Sequence, residues 1–165
     1  MSLTDSQVAA FAADIVANEN QPVIDALAIG NNNGILAWYN GQASPAYYLW
    51  RTSMTIQEMR DRHFDWAEVV GSLTTNSLLA LMVLTGQDQI DPSRASMRGA
   101  FASIFAGPQL VNTRTALVDA AKRLATNIQK LFADGDGTEG SPALAVVESI
   151  SLQDVRDAVA IINME

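Results

Sequence analysis

The sequence predicts a mainly α protein: a small helical bundle with a short β arm or hairpin between its last two helices. Three observations carry this reading. Apolar residues return three and four positions apart over most of the chain, as one face of a helix requires. Helix-start signatures, with Thr three residues ahead of Gln or Glu, stand in front of two of these runs at Thr4–Gln7 and Thr55–Glu58. Strand-forming residues make only one short run, Val146, Val147 and Ile150, and no βαβ alternation occurs. With 165 residues, 48% hydrophobic and 17% charged, the chain has the material for a buried core, and one helical domain over 1–165 is expected. Its parts are N-terminal helices within 1–34, a flexible or extended arm at 134–150, and a C-terminal helix at 151–163.

The elements follow in order. Behind the Thr4 capping box, Val8, Phe11, Ala12, Ile15 and Val16 give a first helix of about three turns. The cluster from Asn18 to Gln21 breaks it. Pro22 then suits the first turn of a second helix with Val23, Ile24, Leu27 and Ile29. Gly30-Asn31-Asn32-Asn33-Gly34 is a turn, and a short third helix covers Ile35 to Tyr39. Residues 40–55, with Gly41, Pro45 and the aromatics Tyr47, Tyr48 and Trp50, read as a structured loop or short extended segment. Thr55 opens a short helix carrying Met59, and another break follows at Asp65-Trp66. From Thr74 or Thr75 the run NSLLALMVL is apolar almost all round, which predicts a fully buried helix ending at Gly86. Asp91-Pro92-Ser93 enters a helix whose inner stripe is Met97, Ala100, Phe101, Ile104 and Phe105, with Arg94 and Arg98 opposite and Gly107-Pro108 as its end. The longest helix is expected from about Thr113 to Ala133, with Leu117, Ala120, Ala121, Leu124, Ile128, Leu131 and Phe132 as its inward stripe and Lys122, Arg123 and Lys130 on its wet side. A last helix starts near Ser151 and buries Leu152, Val155, Val159 and Ile162.

The net charge is −8 and is unevenly spread. No Lys or Arg precedes Arg51, and after Lys130 a single basic residue, Arg156, faces seven acids. The middle section holds Arg60, Arg62, Arg94, Arg98, Arg114, Lys122 and Arg123. Tight nucleic-acid binding needs clustered cations that displace counterions, and this acidic chain is a poor candidate for it. An acidic surface beside DNA would instead let the polymer slide. The absence of cysteine excludes disulfides, thiol catalysis and cysteine metal sites. The N-terminus lacks the basic patch and apolar block of a signal peptide, and no apolar run reaches roughly 18 residues, so no membrane span is expected.

No reaction centre assembles from these residues, so no enzyme and no cofactor are expected. The single histidine, His63, lies between Asp61 and Asp65 in a polar segment, without the partners of a zinc site or a catalytic triad. The acid pairs Glu58–Asp61 and Asp154–Asp157 sit at helix starts, where carboxylates favour the helix dipole. Asp134, Asp136 and Thr138 fall on the first three ligand positions of a calcium loop. That frame puts Glu139 where glycine is needed and Ala145 where a bidentate glutamate is needed. The better reading is that Gly135 and Gly137 end a helix and free the chain.

A lone short strand is not stable, so the β-prone run beyond Ser141 needs a partner. It is either half of an internal hairpin packed on the helices or a strand added to another copy. The aromatics pose the same choice between core and interface: Trp38, Tyr39, Tyr47, Tyr48, Trp50 and Trp66 bracket a loop in a chain with 7% aromatics.

Three stretches, LAWYNGQASPAYYLWRTSMT (36–55), IDPSRASMRGAFASIFAG (90–107) and RLATNIQKLFADGDGTEGSPALAVVESISLQDV (123–155), together resemble the head–tail adaptor, or head-completion, proteins of long-tailed bacteriophages. The resemblance covers roughly 35–160, with Trp50-Arg51-Thr52 and the helix–DGDG–strand–LQDV ending as its more specific parts. It implies a structural virion protein of the neck, assembled in the host cytoplasm as a homo-oligomeric, dodecameric ring between portal and tail. Such a ring extends the DNA channel without sequence-specific DNA binding and docks a downstream neck or tail protein. The candidate interface it implies comprises Tyr47, Tyr48, Trp50, Arg51, Asp134, Asp136, Ala143, Leu144, Val146 and Val147. The alternative is a non-virion helical tail-assembly helper or chaperone, or another neck or tail-completion component.

Overall fold

Helices make up 57% of the chain, and the strands are two or three residues long. The computed structural model describes residues 2–164. The elements are α1 (Asp5–Ala17), α2 (Gln21–Ala28), α3 (Asn32–Tyr39), β1 (Tyr48–Trp50), β2 (Met54–Thr55), α4 (Ile56–Arg62), α5 (Trp66–Ser72), α6 (Thr75–Thr85), β3 (Gln89–Ile90), α7 (Ala95–Ile104), a 3₁₀ turn (Pro108–Leu110), α8 (Val111–Ala120), β4 (Lys122–Leu124), α9 (Asn127–Leu131) and α10 (Leu152–Ile162). Strand β1 pairs with β4, and β2 pairs antiparallel with β3. The mainly α fold is thus as the periodicity predicts.

The contacts gather into two units. Unit 1 takes the chain up to Leu49 and from Leu124 onward; unit 2 is the intervening Trp50–Arg123. Each has its own core. In unit 1, α1, α3 and α10 bury Phe11, Ile15, Ile35, Tyr39, Val155 and Ala158, with Ile128 of α9 and Val147 and Ile150 of the loop before α10. Phe11 and Trp38 each meet the Tyr39 ring edge-on with centroids 4.7 Å apart. The Tyr39 hydroxyl donates to Asp14 Oδ2 at 2.5 Å and accepts from Asn18 Nδ2 at 3.0 Å, so this buried phenol is satisfied. Unit 2 buries Met54, Met59, Phe64, Val69, Ile104, Phe105, Leu110 and Leu117.

Local signals set the helix starts. The Thr4 box forms as predicted: its hydroxyl accepts from the Gln7 N–H, and the Gln7 side chain returns to the Thr4 N–H. At Thr55 only half of the box forms. The hydroxyl caps Glu58 N, while the Glu58 carboxylate turns to Arg51 in a two-pronged pair at 2.7 and 2.9 Å.

Two helices differ from the sequence reading. The predicted helix from Thr113 to Ala133 is divided into α8, β4 and α9. The chain turns extended after Ala121 because its backbone finds ladder partners: Arg51 N–H donates to Ala121 O, and Ala125 N–H donates to Tyr47 O. Thr126 and Gln129 then form a new capping box. As a consequence Leu124, read as an inward residue, is exposed, and Lys122 lies half-buried beside Asp119 at 2.8 Å rather than on a wet helical face. The second difference is α6. It ends at Gly86 as predicted, but only Leu81 is buried; Leu78, Leu79, Met82 and Val83 are exposed, Val83 by 73%. Apolarity all round would make burial affordable on every side, yet unit 2 covers only one face.

Candidate functional site

The stretch 133–151 is knitted into unit 1 by specific bonds. Asp134 and Leu144 pair antiparallel through both backbone bonds, at 3.0 and 2.8 Å. Ala143 N–H donates to Tyr48 O at 2.9 Å, and Tyr48 N–H donates to Gly137 O at 2.7 Å. Farther along, Gln129 Nε2 donates to Glu148 O at 2.8 Å. The Asn40 amide brackets the Ile150 backbone, donating to its O at 3.0 Å and accepting from its N–H at 3.1 Å. The internal-hairpin option therefore describes this segment: its strand partner lies within the same unit.

The two glycines shape the loop rather than free it. Gly137 has φ +63°, and a Cβ there would stand 2.0 Å from the Tyr47 ring. Tyr47 lies flat against the loop and donates its hydroxyl to Gly135 O at 2.6 Å. Burial raises the pKa of this phenol, and the nearby carboxylates Asp136 and Asp134 raise it further. Both carboxylates stand on exposed residues. Among the described residues no group of three or more His, Asp or Glu is placed to hold a metal.

From Ala143 to Val147 the side chains alternate as on a strand. Ala143, Ala145 and Val147 turn toward the cores of unit 1. Leu144 and Val146 are exposed, by 37% and 57%, and Glu148 continues the exposed row. The structure thus divides this part of the predicted interface. Ala143 and Val147 are core residues; Leu144 and Val146 are surface residues.

Trp50 and Arg51 belong to unit 2 and to its framework. Arg51 is held by Glu58 and donates to Ala120 O at 3.2 Å. The hydrogen bonds that Arg51 donates to Glu58 raise the pKa of Arg51 and lower that of Glu58. Trp50 carries the Arg98 guanidinium over its ring at 4.5 Å. Arg98, expected on the wet side of α7, instead reaches Pro92 O at 2.8 Å and Ser93 O at 2.5 Å. Beside this stack unit 2 opens an apolar groove of about 220 Å³, floored by Met54, Met59, Met97, Phe101, Phe105 and Leu117, with Arg98 and Arg114 among its lining. Arg114 donates to Phe105 O at 2.9 Å.

Sequence reasoning missed the α6 surface. The chain has no charged residue from Val69 to Gln87, and within that run Leu78 and Met82, and Leu79 and Val83, form i, i+4 pairs on the exposed side of α6. The missing charge was the visible signal, and burial was the wrong inference from it.

The units also differ in charge. Unit 1 carries 11 acidic and 2 basic residues, net −9; unit 2 carries 7 acidic and 8 basic, net +1. No helix among the described residues is long and apolar enough to cross a membrane. No protein-family model, curated protein or solved structure gives a significant match to the chain.

Proposed function

We propose that this chain is a structural assembly protein whose work is done by protein–protein contact. The observation that carries this reading is the exposed apolar stripe of α6. Four large apolar side chains on one helix face, in a run without charge, raise the free energy while they face water and lower it on meeting another apolar surface. With no basic residue between Val69 and Gln87, the stripe has nothing to hold an anionic lipid surface or a nucleic acid. Its occupant is therefore a protein.

The specific setting we propose is the bacteriophage neck. Copies of the chain form a ring between portal and tail, the ring extends the DNA channel, and α6 meets the portal or the next neck or tail protein. Support for the setting comes from the resemblance across roughly 35–160. The acidic unit 1 suits a wall along which DNA moves without adhering. The protein then resides in the virion after assembly in the host cytoplasm. A tail-assembly helper that leaves before completion is a second reading, because the same stripe serves a temporary partner equally well.

Quantitative mass spectrometry of purified particles separates the two. Under the neck reading the chain is present in particles at a ring-like copy number, and reconstruction places it next to the portal. Its presence in infected-cell lysate but absence from finished particles rejects the neck and favours the helper.

A further inference from the structure

We propose that the apolar groove of unit 2 is a binding site for a neutral, apolar small molecule of one or two rings. The site goes beyond the assembly role and does not depend on it. The groove is a concavity rather than a bare patch. Met59 and Phe105 in its lining are fully buried, and Met54, Ile90 and Leu117 are nearly so, while Ala102 and Val118 stand exposed at its edge. The outer side of α6 is the opposite case: a helical ridge, which only a second broad surface covers.

The lining decides the chemistry of the guest. Water settled in a cavity needs about two to four polar partners, and these walls are almost wholly thioether, aromatic and aliphatic. The two cations in the lining are already engaged. Arg98 donates to the Pro92 and Ser93 carbonyls and lies over the Trp50 ring, and Arg114 donates to the Phe105 carbonyl. Each would have to leave those contacts to meet an anion. A carboxylate or phosphate entering here therefore sheds its hydration without a partner in return. A neutral apolar guest has no such loss and removes its own surface from water.

Aromatic guests suit the lining better than saturated ones of equal size. Sulfur makes favourable contacts with aromatic rings, and the flexible thioethers of Met54, Met59 and Met97 re-pack to the outline of what enters. Volume sets the size. The groove holds about 220 Å³, more than the ~150 Å³ apolar cavity that takes up one benzene, so it has room for two fused rings.

The test titrates the full chain, isotope-labelled in its methionine methyl groups, with naphthalene and with its anionic analogue naphthoate. Three of the six methionines line the groove and Met82 lies on the α6 stripe, so the spectrum reports where the probe sits. Ring currents from naphthalene are expected to shift the Met54, Met59 and Met97 methyls along one saturable curve, with a Kd of about 100 μM or tighter, and Met82 is expected not to follow it. Naphthoate is expected to bind at least about tenfold more weakly. Val118→Trp, at a lining position 43% exposed, puts an indole into the groove and is expected to weaken naphthalene at least about tenfold. Ala102→Trp, also exposed, takes its place if Val118→Trp melts early by circular dichroism. The methyl shifts and the comparison of the two probes need no variant. Shifts that do not saturate or that come first at Met82, naphthoate binding as tight as naphthalene, or a filled groove that binds naphthalene unchanged overturns the proposal.

Discussion

Asp154 shows how much one side chain does in this fold. It is 2% exposed, yet it is ionised by design of its surroundings. Burial pushes its pKa up, but hydrogen bonds outweigh that: the Ser151 hydroxyl at 2.6 Å, the Leu3 N–H at 2.9 Å and the Ser151 N–H at 2.8 Å hold the carboxyl below the usual aspartate range. One carboxylate therefore caps α10 and ties the start of the chain to it. The sign of the pH effect follows. A group with a depressed folded-state pKa contributes stability above its unfolded pKa, and that contribution is lost as pH falls through the folded value. Asp154→Asn is expected to cost about 1–3 kcal/mol at neutral pH, read as a lower urea midpoint. The gap to wild type is expected to narrow as the pH drops below about 4, where the unfolded chain's carboxyl takes up its proton, and to close as the pH falls through the depressed folded-state value. A gap that stays constant down to acid pH would show that Asp154 acts through shape rather than charge. From sequence, Asp154 is legible as a helix-start acid. Its bond to Leu3 is not, because it joins residues 151 positions apart.

At the scale of elements, legibility tracked how local the deciding interactions are. Helices α1 and α10 have their caps and stripes within a few residues, α2 has Pro22 in its first turn, and the sequence displays all three. The division of α8, β4 and α9 is decided by ladder bonds to Arg51 and Tyr47, far away in the chain, which no periodicity reveals. One local clue existed: Thr126-Asn127-Ile128-Gln129 is itself a capping box. It was hidden inside a stripe of apolar residues that ran through it at helical spacing. The bonds by which Asn40, Asn127 and Gln129 tie down unit 1 gave no sequence signal, since buried and exposed amides look alike before partners are known. For α6 the pattern was visible and the inference failed, because all-round apolarity cannot say whether the second face is covered in the same chain or by another. Val83→Lys decides between these. At an exposed site it is expected to leave the melting temperature within about 2 °C of wild type, equivalent to roughly 0.5 kcal/mol. It is also expected to lower the binding of a hydrophobic dye. Buried, the same change would cost several kcal/mol, so a large fall in melting temperature would refute the exposed stripe.

The whole molecule joins two units with separate cores and opposite leanings in charge. Unit 1 closes over segments from both ends of the chain, and unit 2 is a continuous insertion. The insertion begins at Trp50, inside the segment read as a structured loop, and ends at Arg123, inside the segment read as one long helix. The units also differ in surface: unit 1 carries 11 of the chain's 18 acids, and unit 2 carries the apolar groove and the α6 stripe. If the cores are energetically distinct, damage to one should remain within it. Ile15→Ala in unit 1 and Met59→Ala in unit 2 each remove a fully buried side chain and are expected to cost about 2–5 kcal/mol locally. In hydrogen exchange followed by mass spectrometry, Ile15→Ala is expected to speed exchange in α1, α3 and α10 and leave α4 and α8 unchanged. Met59→Ala is expected to do the reverse. Acceleration across both units from either substitution would mean that the chain opens as one cooperative body, and the charge and surface differences would then be features of a single core.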